Sequence, residues 1–123
     1  MSNQTLMPAS VRIHQSNARL ASAINLGAVN LIESELKLLW ETVSESVSEV
    51  EREEAQRIDT VFLQEVFIEP EYIHAYVKLN SALSGLVASI FLNGDTIYSI
   101  AVTKHYIERV AKAYQINLNL SSS

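Results

Sequence analysis

A chain of 123 residues, 48% of them hydrophobic, is the size of one domain and carries enough apolar material to bury a core. With no cysteine it excludes disulfides, thiolate metal sites and thiol nucleophiles, a usage that suits a reducing compartment, the cytoplasm by default. A net charge of -5, with the nine Lys and Arg scattered from Arg12 to Lys112, speaks against nucleic acid as a partner.

In chain order, residues 1–9 are polar, lack the basic start and apolar stretch of a secretory signal, and read as a flexible N-terminus. A single helical domain is expected over 10–118, followed by a flexible tail over 119–123. From Ser10 to Arg57 apolar residues recur at helical spacing, with Val29, Ile32, Leu36, Leu39, Val43, Val47 and Val50 on one stripe. Gly27 is the place where Ser10–Asn25 can separate from a long amphipathic second helix. That helix turns acidic at Glu49, Glu51, Glu53 and Glu54, either as a solvated extension or as the end of a coiled coil, since the stripe approaches a heptad seam.

Asp59 is placed to cap a short helix over Thr60–Ile68 with Phe62, Leu63, Val66 and Phe67 on one face. Pro70 and Glu71 suit the first turn of a helix that carries Ile73, Tyr76, Val77, Leu83, Leu86, Val87, Ile90 and Phe91 on a broad side, ended by Asn93-Gly94 in a left-handed cap. Its longest apolar stretch, Leu83–Leu92, is about half of what a bilayer requires, so no membrane span is expected. Asp95 can cap a last helix with Ile97, Ile100, Ile107, Val110, Ala111 and Tyr114 on its apolar face and Lys104, Arg109 and Lys112 towards its end. The fold expected is therefore an all-α, compact helical bundle. The competing reading is α+β with a C-terminal hairpin around Asn93-Gly94, because the flanking stretches are rich in β-branched residues.

Chemistry-bearing motifs are few. Gly27, Gly85 and Gly94 are too far apart for a phosphate loop, and no serine sits in a strained elbow. No cofactor is implied. Glu71-Tyr72-Ile73-His74 has the Glu-x-x-His spacing of di-iron bundles, and with no second copy in the chain it supports a metal-dependent or hydrolytic enzyme only across a dimer, with His105 as a further candidate. Ser81, Gly85 and Ser89 recur every fourth residue and make a face that a second helix, from the same chain or another copy, can approach closely. Tyr72, Tyr76, Tyr98, Tyr106 and Tyr114 suit contact surfaces or core edges.

Two resemblances are short. Leu26–Val66, with Arg57 in a loop and Thr60-Val61 and Glu65-Val66 opening the next helix, is similar to a histone fold, although its acidic central helix lacks basic DNA-contact residues. Gln15-Ser16-Asn17-Ala18 with Ala28-Val29-Asn30-Leu31 is similar to the N-terminal part of the killing-trait proteins that polymerise into bacterial R-bodies. That resemblance covers under a third of the chain and implies self-assembly.

The function expected is a non-enzymatic helical module, a homo-oligomeric structural or scaffold component whose partner is itself or another protein. Its candidate interface is Leu36, Leu39, Trp40, Val43, Val47, Val50, Ser81, Gly85 and Ser89. The alternatives are the dimeric enzyme using Glu71 and His74, and an acidic adaptor or inhibitor whose Glu45–Glu54 stretch meets a basic partner.

Overall fold

The structure, a computed structural model, describes residues 7–120, and among them there is no strand. Helix α1 (Ala9–Leu26) and helix α2 (Val29–Glu45) form a hairpin around Gly27. At φ 66° Gly27 takes the left-handed conformation, its N–H reaching the Ile24 carbonyl at 3.0 Å and the Ala28 N–H reaching that of Ala23 at 3.3 Å. This Schellman ending is one that glycine adopts without a Cβ penalty. Ile13, Ser16, Leu20 and Ala23 of α1 and Ile32, Leu36, Leu39 and Val43 of α2 turn inward at three- and four-residue steps, and the Arg19 Nε to Glu35 Oε1 pair at 3.2 Å ties the two helices together.

The expected long helix breaks a second time. It stops at Glu45 and restarts after Ser48 as helix α3 (Glu49–Gln56). Ser48 Oγ accepts the Glu51 N–H at 3.1 Å while the Ser48 N–H donates to Glu51 Oε1 at 2.7 Å, a complete capping box. From α3, Arg52 donates back to the Ser44 and Val47 carbonyls at 2.6 and 3.0 Å, pairing groups at the end of α2 that the helix itself leaves open. The apolar stripe therefore leaves the core at this corner: Val47 is half-buried and Val50 is 66% exposed. Replacing the capping hydroxyl, Ser48→Ala, should lower stability by about 1 kcal/mol, read as a shift of the denaturant midpoint at unchanged slope.

The short helix expected over Thr60–Ile68 is reduced to one 3-10 turn, Val61–Leu63, begun by Asp59 Oδ1 accepting the Val61 N–H at 2.9 Å. Residues 64–70 run on as an irregular strap, because Phe67 turns towards the protein while Val66 and Ile68 face solvent, an alternation that no single helical face provides.

Helix α4 (Glu71–Phe91) and helix α5 (Ile97–Ala113) make the second hairpin, the most extensive packing in the chain. Helices rather than strands thus flank Asn93-Gly94, and the left-handed residue is Asn93 at φ 55°, with the Gly94 N–H reaching back to the Ser89 carbonyl at 2.8 Å. Pro70 lies just ahead of α4, its carbonyl taking the Ile73 and His74 N–H groups. The inward stripe of α4 is Ala75, Leu79, Leu83 and Leu86, so Ile73, Val77 and Phe91, expected on the same side, are turned out.

Asp95 Oδ1 accepts the Ile97 N–H at 2.9 Å as α5 begins, and the Thr96 hydroxyl donates to Glu51, pinning α3 to the start of α5. Helix α5 is the central element. It packs on α2, α3 and α4 and buries Ile100, Ala101, Thr103, Tyr106, Ile107, Val110 and Ala111. After α5, Ile116 and Leu118 pack on the core and Leu120 is buried within it. The expectations for residues 1–6 and 121–123 fall outside the described residues.

Candidate functional site

The two hairpins meet unevenly. Helix α1 touches α4 far less than it touches α2, and a polar clasp marks the contact: Asn17 Nδ2 donates to Asn80 Oδ1 at 2.6 Å, the Tyr76 hydroxyl donates to Asn17 Oδ1 at 3.2 Å, and Asn80 Nδ2 donates to the Tyr76 carbonyl at 3.0 Å. Beyond the clasp the start of α1 and the end of α4 part, leaving a groove of about 590 Å³ walled chiefly by Ile13, Leu83, Val87, Ile90 and Phe91. The size and apolar lining are those of a site for an apolar occupant.

Two properties distinguish this face. Among the described residues it carries little charge: residues 79–94 contain no ionisable side chain, and of the described residues lining the groove only His14 of α1 is titratable. It is also underburied, with Phe91 83% exposed and Leu92 72% exposed beside the groove, and Val77 and Ile73 exposed further up α4.

The expected interface residues divide between the inside and the outside of the fold. Leu36, Leu39 and Val43 are wholly enclosed by the chain's own core, Trp40 and Val47 are half-buried at its edge, and Val50 is in solvent. Ser81 and Gly85 lie on the open face of α4, where a Cβ added at Gly85 would meet nothing within 4 Å. Ser89 instead faces Ser99 of α5, their hydroxyls 3.3 Å apart. Among the described residues no helix uses the close approach that Gly85 permits.

A second constellation surrounds the strap. Glu65 Oε2 accepts the Tyr106 hydroxyl at 2.8 Å, and Oε1 lies 3.1 Å from His74 Nε2 and 3.8 Å from Lys78 Nζ. The Tyr106 hydrogen bond foremost, then His74 and Lys78, holds the Glu65 carboxyl below the usual carboxylate range despite some desolvation. Burial first, and then the Glu65 carboxylate, pushes the Tyr106 phenol up to about 12. The Ile68 N–H donates to His74 Nδ1 at 3.4 Å, so Nε2 bears the proton that points at Glu65, and the Phe67 ring packs on the imidazole with centroids 4.5 Å apart.

The carboxylate paired with His74 is thus Glu65 of the strap, not Glu71, which lies exposed in the first turn of α4. Among the described residues no group of three His, Cys, Asp or Glu is disposed to hold a metal ion. In the acidic run, Glu51 is engaged by Ser48 and Thr96, Glu45 pairs with Arg12 and Glu54 with Arg57, leaving Glu49 and Glu53 as its outward charges.

The groove clasp and the Glu65 centre were both absent from the expectations drawn from sequence. Asn17 and Asn80 carry a faint signal as amides beside apolar helix positions; Glu65, in an irregular segment, carries none. No protein-family model matches the chain, nor does a curated protein or a solved structure. The histone-like and R-body-like stretches therefore gain no support from these comparisons.

Proposed function

We propose that the chain is a non-enzymatic helical module, a cytoplasmic structural component that associates with a second copy of itself through the α1/α4 groove. The observation that carries the reading is this groove of about 590 Å³ with the protruding Phe91 at its edge, a hollow and a knob on one face. A two-fold contact presents the same surface from both partners, so a face holding both features can complement itself.

Charge favours a second copy as the occupant. Chains of net charge -5 repel one another, and a two-fold contact sets like residues near like, so the surface suited to self-pairing is the one with little charge. The low relief at Ser81 and Gly85 lets the backbones approach, and burying Phe91, Leu92 and Val77 supplies the driving force at about 25 cal/mol per Å² of apolar area, less the cost of association. No helix among the described residues is long and apolar enough to cross a membrane, so this apolar face is not part of a helical span.

The test is solution mass by light scattering after size-exclusion chromatography. The chain should run as a discrete multiple of 13.7 kDa, the assembled fraction rising with concentration. Phe91→Glu should return it to the monomer. Gly85→Leu separates assembly from folding: the added side chain has open space within one copy and better helix propensity, so monomer stability should hold or rise by up to about 1 kcal/mol while the mass falls. A wild-type monomer at every concentration would overturn the reading.

A further inference from the structure

A different part of the molecule bears on a small ligand. Between the strap and the last turns of α5 lies a cavity of about 380 Å³, lined by Gln64, Glu65, Phe67, His105, Glu108, Arg109 and Lys112. Among the described residues only two buried side-chain nitrogens have no hydrogen-bond partner, His105 Nε2 and Arg109 Nε, and both belong to side chains that line this cavity, one helical turn apart. Buried donors without partners are uncommon enough in folded proteins to call for an explanation.

The charges point the same way. Arg12, Arg19, Lys37, Arg57 and Lys78 each have a carboxylate within 4.0 Å, whereas Arg109 and Lys112 have none among the described residues. Arg109 lies instead with its guanidinium carbon 4.0 Å from the centre of the Phe67 ring, which fixes the plane of the fork. The local acids do not neutralise this pair. Glu65 is engaged by Tyr106, His74 and Lys78, and Glu108 forms no ion pair with Arg109 or Lys112.

We propose that this cavity binds a small organic carboxylate, whose oxygens accept from Arg109 and from His105 Nε2, with Lys112 at the mouth and Phe67 against the apolar part of the ligand. On His105 the proton arrangement fits. Nδ1 lies 3.3 Å from the Thr60 hydroxyl, which can donate to it and leave the neutral ring's proton on Nε2. A planar carboxylate suits the arginine fork better than any neutral acceptor does, and a single charge is favoured because Glu65 and Glu108 border the same space.

Desolvation, with the Arg109 charge second, lowers the His105 pKa, against a smaller opposing pull from Glu65. A bound carboxylate must raise it again, which gives a direct readout. The chain has three histidines, so their ring protons can be followed separately by NMR during a titration with sodium acetate, ionic strength held constant with sodium chloride. The His105 signal should shift saturably, its pKa should rise with acetate, and His14 should stay put. Arg109→Gln should weaken binding about tenfold or more, and Lys112→Gln, at an exposed position that leaves the fold alone, by about threefold.

A linear drift shared by His105 and His14, or saturation unaltered in both variants, would overturn the proposal. Should Arg109→Gln fail to fold without its Phe67 contact, Lys112→Gln and the His105 pKa decide the matter. The monomer or oligomer state does not enter this test, so it stands apart from the self-association reading.

Discussion

Leu36→Ala should lower the free energy of unfolding by about 2–5 kcal/mol, the largest effect expected of any single substitution considered. Leu36 is completely enclosed, on the inward stripe of α2 between Ile32 and Leu39, and belongs to the one core that joins both hairpins. Removing its side chain loses the transfer energy of the buried carbons and leaves a hollow that helices fixed at both ends cannot fill. Val50→Ala, two heptads along the same sequence stripe, should change stability by less than about 0.5 kcal/mol, because Val50 faces solvent. Equilibrium urea unfolding checks both. Equal losses would mean that the stripe continues through Ser46–Ser48 as one packed helix.

That contrast shows where periodicity stops being informative. The spacing from Ile32 to Val43 marks a buried face correctly, but the valines at 47 and 50 keep the same rhythm past a helix end set by hydrogen bonding. The signal for that end is local: Ser48-Glu49-Val50-Glu51 is a capping box in the sequence, and following the apolar rhythm passes over it. The same principle settles the last third, where β-branched residues flank Asn93-Gly94 as a hairpin would have them. There the turn residues close a helix end instead, because Leu79, Leu83 and Leu86 on α4 and Ile100, Ile107 and Val110 on α5 share helical faces that strands could not bring together.

The candidate sites were less legible, for a physical reason. The α1/α4 groove exists because two hairpins diverge beyond the Asn17–Tyr76–Asn80 clasp, a tertiary relation between residues about sixty positions apart. Ser81 and Gly85 read in the sequence as a close-approach face, and that face is open; Leu36, Leu39 and Val43 read as interface but serve the interior. Apolar helical spacing reports that a face is covered, not what covers it. The Glu65 centre had no such trace, since its partners come from the strap, α4 and α5 and repeat at no fixed interval.

The consequence of that centre is a dependence on alkaline pH that one atom controls. Tyr106 is buried, its hydroxyl donates to Glu65, and its phenol titrates at about 12 against an ordinary value of 10. The folded state therefore keeps this proton through a range in which the unfolded chain releases it. Stability from Tyr106 is fully present below pH 10 and is lost as pH rises from there through 12. A shift of this size corresponds to roughly 3 kcal/mol.

Tyr106→Phe removes the hydroxyl without emptying the core, so its deficit should be greatest near neutrality and should shrink by about that amount between pH 10 and 12, the two stability curves converging. On the acid side the sign reverses: Glu65, held low chiefly by the same hydrogen bond, stabilises the fold above its unfolded pKa and ceases to as the pH falls, and the variant should lose less there. Denaturant unfolding from about pH 2 to 12 reads both limbs, and the late-titrating tyrosine is visible separately in the phenolate absorbance. A constant gap between the two curves would show that Tyr106 contributes packing alone and that Glu65 holds the strap through His74 and Lys78.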